Sequence, residues 1–195
     1  MFDKKFKISN LTISKKSRAI IIAEIGINHE GSFSKCIDLI NNANKSGADL
    51  IKIQTANPSS SYLKKTKSYK LFNKASLSKE ETFNLFNYCK KKQIKLFSTF
   101  DRGNYEFFKK INQPCYKISS SLFYDFNLIQ DVLKFNKPVL ISTGVTDIND
   151  IDELIKILKN KKNKKVSLLH CVSLYPTKNE EINLSRISFI KNRYN

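Results

Sequence analysis

Two lysines stand where an apolar strand would bury them. In "GADLIKIQT" (residues 47–55), Lys52 lies between Ile51 and Ile53 and shares its side of the chain with Gln54; in "CYKISSS" (115–121), Lys117 lies between Tyr116 and Ile118. Successive side chains of a strand face opposite sides, so each lysine points away from its apolar neighbours. An ammonium buried without a counter-charge is costly or loses its proton, so each lysine calls for a carboxylate or a bound anion. The competing reading puts both on sheet edges, where lysines discourage aggregation. Hydroxyls gather near the ends of such segments: Ser98 and Thr99, then Ser119, Ser120 and Ser121, then Ser142 and Thr143 ahead of Gly144. Hydroxyls and free N–H groups at turns that enter helices suit phosphate or carboxylate oxygens. Glu24 closes the run "IIAE", with Asn28 and His29 just beyond it. Its carboxylate is able to pair with a lysine, bind a sugar hydroxyl or serve as acid or base. His29 reads as a hydrogen-bonded loop residue or a metal ligand, and His170, in "LLHCVSLYPT", as a core histidine followed by Tyr175.

The elements that must position these residues alternate along the chain. Short apolar runs at 19–24, 49–54, 95–99, 115–119, 137–142 and 165–171 read as strands, and amphipathic stretches near 33–46, 78–92, 103–111, 125–135, 147–160 and 182–192 read as helices. Ser78 with Glu81 fits a capping box, Asp147 is placed to cap the helix after it, and Gly47 stops the first helix. Strands alternating with helices predict a parallel sheet with right-handed crossovers, doubly wound or closed into a barrel. Ahead of them, "FKISNLTIS" alternates with period two around Asn10 and predicts a small hairpin within residues 1–18. Residues 55–77, polar and rich in Ser and Lys, read as one long connection, of the kind that carries ligand contacts in α/β proteins.

Composition narrows the class. With 195 residues, 41% hydrophobic and 27% charged, the chain is that of an ordinary globular protein. No apolar run approaches the roughly 20 residues of a membrane helix, and the lysine-rich start lacks the apolar region of a secretory signal, so the cytoplasm is the expected location. Cys36, Cys89, Cys115 and Cys171 are scattered without a CxxC pair, against a disulfide framework or a zinc knuckle. The net charge of +18 raises nucleic acid as a partner. Only Arg18, Arg102, Arg186 and Arg193 are arginines, however, and the lysines are spread over every segment, which fits a solvated surface better than a nucleic-acid stripe.

The blocks "IIAEIGINHEG", "GADLIKIQT", "KLFSTFD", "YKISSS", "KPVLISTG" and "LLHCVSLYPT", in this order, resemble the sialic acid synthases, the group of N-acetylneuraminate, legionaminate and pseudaminate synthases. The likeness runs from about residue 6 to about residue 190. It implies a (β/α)8 TIM barrel, incomplete here with about six βα units over 19–195, and a transferase that condenses phosphoenolpyruvate with an N-acylated hexosamine such as N-acetylmannosamine. Carried over by the resemblance, Lys52, Gln54, Thr99, Lys117, Ser120 and Ser142 hold phosphoenolpyruvate, Glu24 is catalytic, and Tyr175 and Ser173 meet the amino sugar. The resemblance also implies a divalent metal, Mn2+ or Mg2+, whose family ligands lie beyond residue 195, so no metal ligand is expected within the chain. It implies a homodimer for the complete enzyme and a C-terminal antifreeze-like domain, expected to be absent here. On that ground the chain is expected to be truncated, impaired alone, and open to a complementing C-terminal fragment.

Three of the blocks depart from the family pattern. Ser119 and Ser121 stand where the family has glycines, which allow positive φ or close ligand approach, so the serines are expected to narrow the site. Val172 and Ser173 follow Cys171 where a threonine and then an asparagine or serine are usual, and no proline follows Thr99. The alternatives to a synthase are another phosphate-binding barrel, such as an aldolase with a Schiff-base lysine, and a basic nucleic-acid-associated protein.

Overall fold

The computed structural model describes residues 2–55 and 57–194. The chain forms two compact units, one of residues 18–114 and one that joins residues 1–17 to residues 115–195.

The second of these begins with a hairpin. β1 (Lys5–Ile8) and β2 (Leu11–Ser14) pair antiparallel, with Ile8 opposite Leu11 across the turn at Ser9 and Asn10. Phe6 and Ile8 point inward, so the period of two places its apolar residues on one face.

The unit 18–114 carries β3 (Ile22–Gly26), α1 (Phe33–Lys45), β4 (Leu50–Ile53), α2 (Pro58–Ser61), α3 (Lys67–Ala75), α4 (Lys79–Lys91), β5 (Leu96–Ser98) and α5 (Tyr105–Lys110). Its parallel sheet has the order β3-β4-β5, so β4 and Lys52 are central. Ile51, Ile53 and Phe97 are fully buried, with Leu85 and Cys89 of α4 among the same core residues. Ser32 caps α1 by accepting from Lys35 N, and Ser78 with Glu81 forms the reciprocal capping box of α4. Gly47, with φ +86°, takes the left-handed conformation that lets the chain leave α1 and enter β4.

The remaining elements of the other unit are β6 (Tyr116–Ile118), α6 (Phe126–Leu133), β7 (Val139–Ser142), α7 (Ile148–Lys159), β8 (Val166–Leu169) and α8 (Ser185–Tyr194). Its parallel sheet has the order β6-β7-β8. Asp147 caps α7 in a box closed by Asp150, and Ile151, Leu154 and Leu158 bury one stripe of that helix. Six strand–helix units in sequence are the repeat of a (β/α)-barrel-type fold. Among the described residues, no helix is long and apolar enough to cross a membrane.

The structure corrects three expectations. The segment 55–77 is not one irregular connection: α2 and α3 lie within it, capped by Asn57 and Thr66, whose side chains accept from Ser59 N and Tyr69 N. Capping by polar residues in a polar stretch hides short helices from a periodicity reading. The first parallel strand runs 22–26 instead of 19–24, its register on β4 opening with Ile22 opposite Leu50 and closing with Gly26 opposite Ile53. Glu24 is therefore mid-strand and does not end it. The last strand stops at Leu169, so His170 follows the strand, half-buried, with Nε2 bonded to the Ile182 carbonyl at 2.7 Å and Nδ1 buried without a partner.

Candidate functional site

Each unit gathers polar side chains around one strand lysine. In the unit 18–114, the register of β3 on β4 sets Glu24 beside Lys52, and side chains at paired positions share a face. Lys52 Nζ donates to Glu24 Oε2 at 2.8 Å, with the lysine side chain 8% exposed and the glutamate 56% exposed. The ammonium is inside while its carboxylate reaches water. A central strand and a buried ion pair exclude the edge-guard reading for Lys52. Gln54 is half-buried just past β4, its backbone N–H donating to the Gly26 carbonyl at 3.0 Å, and Thr99 is buried just past β5.

The hydroxyl beside Thr99 has a structural task. Ser98 Oγ accepts from Thr55 N at 3.0 Å and lies 2.7 Å from Thr55 Oγ1, while Ser98 N donates to Gln113 Oε1 at 2.9 Å. His29 is buried, and its Nδ1 accepts from Gly31 N at 3.2 Å. That bond fits a neutral ring, and burial followed by the charge of Lys35 holds its pKa below the usual value of 6.5.

In the other unit, Lys117 lies mid-way along β6 and is buried although β6 is an edge strand of its sheet. Its Nζ donates to Ser142 Oγ at the end of β7 and to the Ile118 carbonyl at 3.1 Å. Ser142 Oγ also accepts from Cys171 Sγ at 3.3 Å. Ser120 Oγ accepts from Gly144 N at 3.0 Å, and Thr143 Oγ1 donates to the Leu169 carbonyl at 3.0 Å. Gly144 is crowded: a Cβ there would lie 2.6 Å from Ser173 Oγ, 2.8 Å from Ser120 Oγ and 3.1 Å from Cys171 Cβ, so both serine hydroxyls would have to shift. Lysine ammonium, hydroxyls and a glycine N–H at strand ends make a cluster that can hold the oxygens of an anion.

The structure thus brings Glu24 to Lys52 in one unit and Lys117, Ser120, Ser142 and Ser173 around Gly144 and Cys171 in the other. Tyr175 is not drawn in: it is 97% exposed. The serines that replace glycines introduce no backbone strain, for Ser119 has φ −71° and neither it nor Ser121 is among the positive-φ residues. Their hydroxyls lie 2.9 Å apart. Cys171 differs from the other three cysteines. It is half-buried, whereas Cys36, Cys89 and Cys115 are buried and burial raises their thiol pKa values, to about 12 for the first two. Thr55, Asp101, Asn104 and Gln113 were missed, because nothing in local spacing marks a polar loop residue as buried. Among the described residues, no three His, Cys, Asp or Glu side chains come together to hold a metal.

Strand–helix repeats with polar side chains at the strand ends define an α/β protein of the kind whose ligand sites form there. Residues 39–195 match the NeuB family, and the chain belongs to that family. An uncharacterized protein of Methanocaldococcus jannaschii is 38% identical over 98% of this chain and 57% of its own length. A pseudaminic acid synthase of Campylobacter jejuni is 33% identical over 97% of this chain and 59% of its own. Among solved structures, an N-acetylneuraminic acid synthetase from Leptospira borgpetersenii, in complex with citrate, superposes with a TM-score of 0.91 at 30% identity, covering 99% of this chain and 68% of that one. The chain therefore spans a little over half the length of the curated relatives it matches. A phospho-2-dehydro-3-deoxyheptonate aldolase from Thermotoga maritima shares the fold, with a TM-score of 0.72 at 13% identity over 97% of this chain and 52% of its own.

Proposed function

We propose that this chain binds phosphoenolpyruvate and serves its condensation with an N-acylated hexosamine to a nonulosonic acid and phosphate. The observation that carries the reading is the Lys117 cluster, a buried ammonium bonded to Ser142, near Ser120 and the crowded Gly144. Lys117, Ser120 and Ser142 are assigned to phosphoenolpyruvate; Lys52, Gln54 and Thr99 are assigned to it by the family resemblance. Glu24, half in water and hydrogen-bonded to Lys52, is the acid–base group. Ser173 and Tyr175 are assigned to the amino sugar.

In the reaction, C3 of the enol forms a bond to the aldehyde carbon of the open-chain sugar, whose oxygen takes up a proton. Water adds at C2, and the C–O bond to phosphate breaks to leave a ketone. Fixed cations and hydroxyl dipoles favour such a step by meeting negative charge without reorganising. The divalent metal that the resemblance implies finds no three-ligand group among the described residues, and none of these roles is routed through it.

The test is a thermal melt of the chain with phosphoenolpyruvate and, separately, with inorganic phosphate. A ligand that binds only the native state raises the midpoint. A rise with phosphoenolpyruvate beyond that with phosphate, lost in Lys117→Met, supports the reading. A wild-type midpoint that phosphoenolpyruvate leaves unmoved overturns it.

A further inference from the structure

One buried carboxylate ties together the loops that follow β4 and β5 in the unit 18–114. Asp101 is 8% exposed. It accepts from Asn104 N at 3.0 Å and from Asn104 Nδ2 at 3.2 Å, and the backbone N–H groups of Gly103 and Asn57 donate to it as well. Asn104 Nδ2 then crosses to the Thr55 carbonyl at 2.7 Å, and Thr55 closes the circuit on Ser98 Oγ. Gly103 lets the two loops touch, because a Cβ there would lie 2.9 Å from Asn57 Cβ.

The chemistry of this clasp calls for a carboxylate. An ionised aspartate is acceptor-only, with about four lone-pair sites, and four donors converge on Asp101. Asparagine in its place would offer one acceptor oxygen and turn an NH2 group toward other donors, leaving buried groups unpaired. Burial pushes the Asp101 pKa up, and its four hydrogen bonds oppose that push.

What the clasp fixes is Gln54. That residue is held on one side by its N–H bond to Gly26 at the end of β3 and followed at once by Thr55, where the clasp takes hold. Thr99, two residues before Asp101, directly follows β5. We propose that Asp101 is a positioning residue that holds Gln54 and Thr99 in the geometry needed for the anionic substrate, without touching it. The proposal rests on the assignment of Gln54 and Thr99 to phosphoenolpyruvate given above.

Two measurements on the full chain test it: amide hydrogen exchange, read over residues 54–62, and phosphoenolpyruvate affinity by calorimetry. Asp101→Asn should speed exchange at the amides of Thr55, Asn57, Ser59 and Ser60 while those of β4 stay protected. It should also weaken phosphoenolpyruvate by about tenfold or more, as a displaced contact does. In a background carrying both Gln54→Ala and Thr99→Ala the same substitution should cost little further affinity, because Asp101 acts through those two residues. A merely structural role predicts losses that add. Should Asp101→Asn fail to fold, Asn104→Ala, which cuts the link to Thr55, must give the same exchange and affinity pattern. Unchanged exchange, unchanged affinity or additive losses overturn the positioning role while leaving the function intact. A wild-type chain that binds no phosphoenolpyruvate overturns both the functional reading and the positioning role.

Discussion

Lys52 and Lys117 are the same residue type in the same kind of place, a short parallel strand, yet their surroundings ask different things of them. Lys52 is matched by Glu24, charge for charge, across a β3–β4 register that the backbone dictates. Lys117 is met by a serine hydroxyl and a backbone carbonyl, with Gly144 packed tightly nearby. The first is an internally compensated pair that leaves a carboxylate in water for chemistry. The second is a cluster of ammonium, hydroxyl and carbonyl groups, the one on which the proposed function rests. A buried lysine is therefore not one signal: one is held by a carboxylate across a strand pair, the other by a hydroxyl and a carbonyl.

The sharpest way to break this contrast is Lys117→Met, which removes the donor but keeps the stem. It should weaken phosphoenolpyruvate by roughly ten- to a hundredfold in calorimetry, the worth of a charge-assisted hydrogen bond. Lys117→Arg should not restore it, because the planar guanidinium cannot take the place of a compact ammonium. Next comes Gly144→Ala, whose Cβ would press on Ser173 and Ser120; it should cost about 1–3 kcal/mol in denaturant melts and blunt the phosphoenolpyruvate response. A variant as stable and as responsive as wild type would remove the tight cluster from the account.

For the compensated pair, Glu24→Gln should destabilise by about 1–2 kcal/mol, less than a fully buried pair because Glu24 is half in water. The double variant Glu24→Gln with Lys52→Met should recover part of that loss, since no uncompensated ammonium remains. Equal and additive losses would make the pair incidental.

The smallest expected effect is on pH. The folded pKa of His29 is depressed, so its contribution to stability is complete above the unfolded value of about 6.5 and is lost as pH falls through the window below it. The unfolded chain then takes up a proton that the fold refuses. The melting midpoint should decline from pH 7 to pH 5, and His29→Gln should flatten that decline. A slope unchanged by the substitution would assign the acid sensitivity elsewhere.

Much of the architecture was legible along the chain. The helices at 33–45, 79–91 and 148–159 were readable from an apolar stripe and a capping residue, both local signals. Lys52 and Lys117 were legible because they break an apolar run. Less legible were α2 and α3, short and polar, and the true limits of the outer strands, which depend on where a partner strand begins. Tyr175 was placed by motif, and nothing local could show that it would stand in solvent.

By itself the sequence determined the βα rhythm, the two anomalous lysines and the family blocks, because these rest on spacing between neighbours in the chain. Only the tertiary structure decided which oxygen each lysine meets. Glu24 reaches Lys52 across 28 residues, Ser142 reaches Lys117 across 25, and Asn104 reaches Thr55 across 49. Such partners are fixed by strand register and loop packing, where free energy comes from contacts between segments that no local pattern encodes.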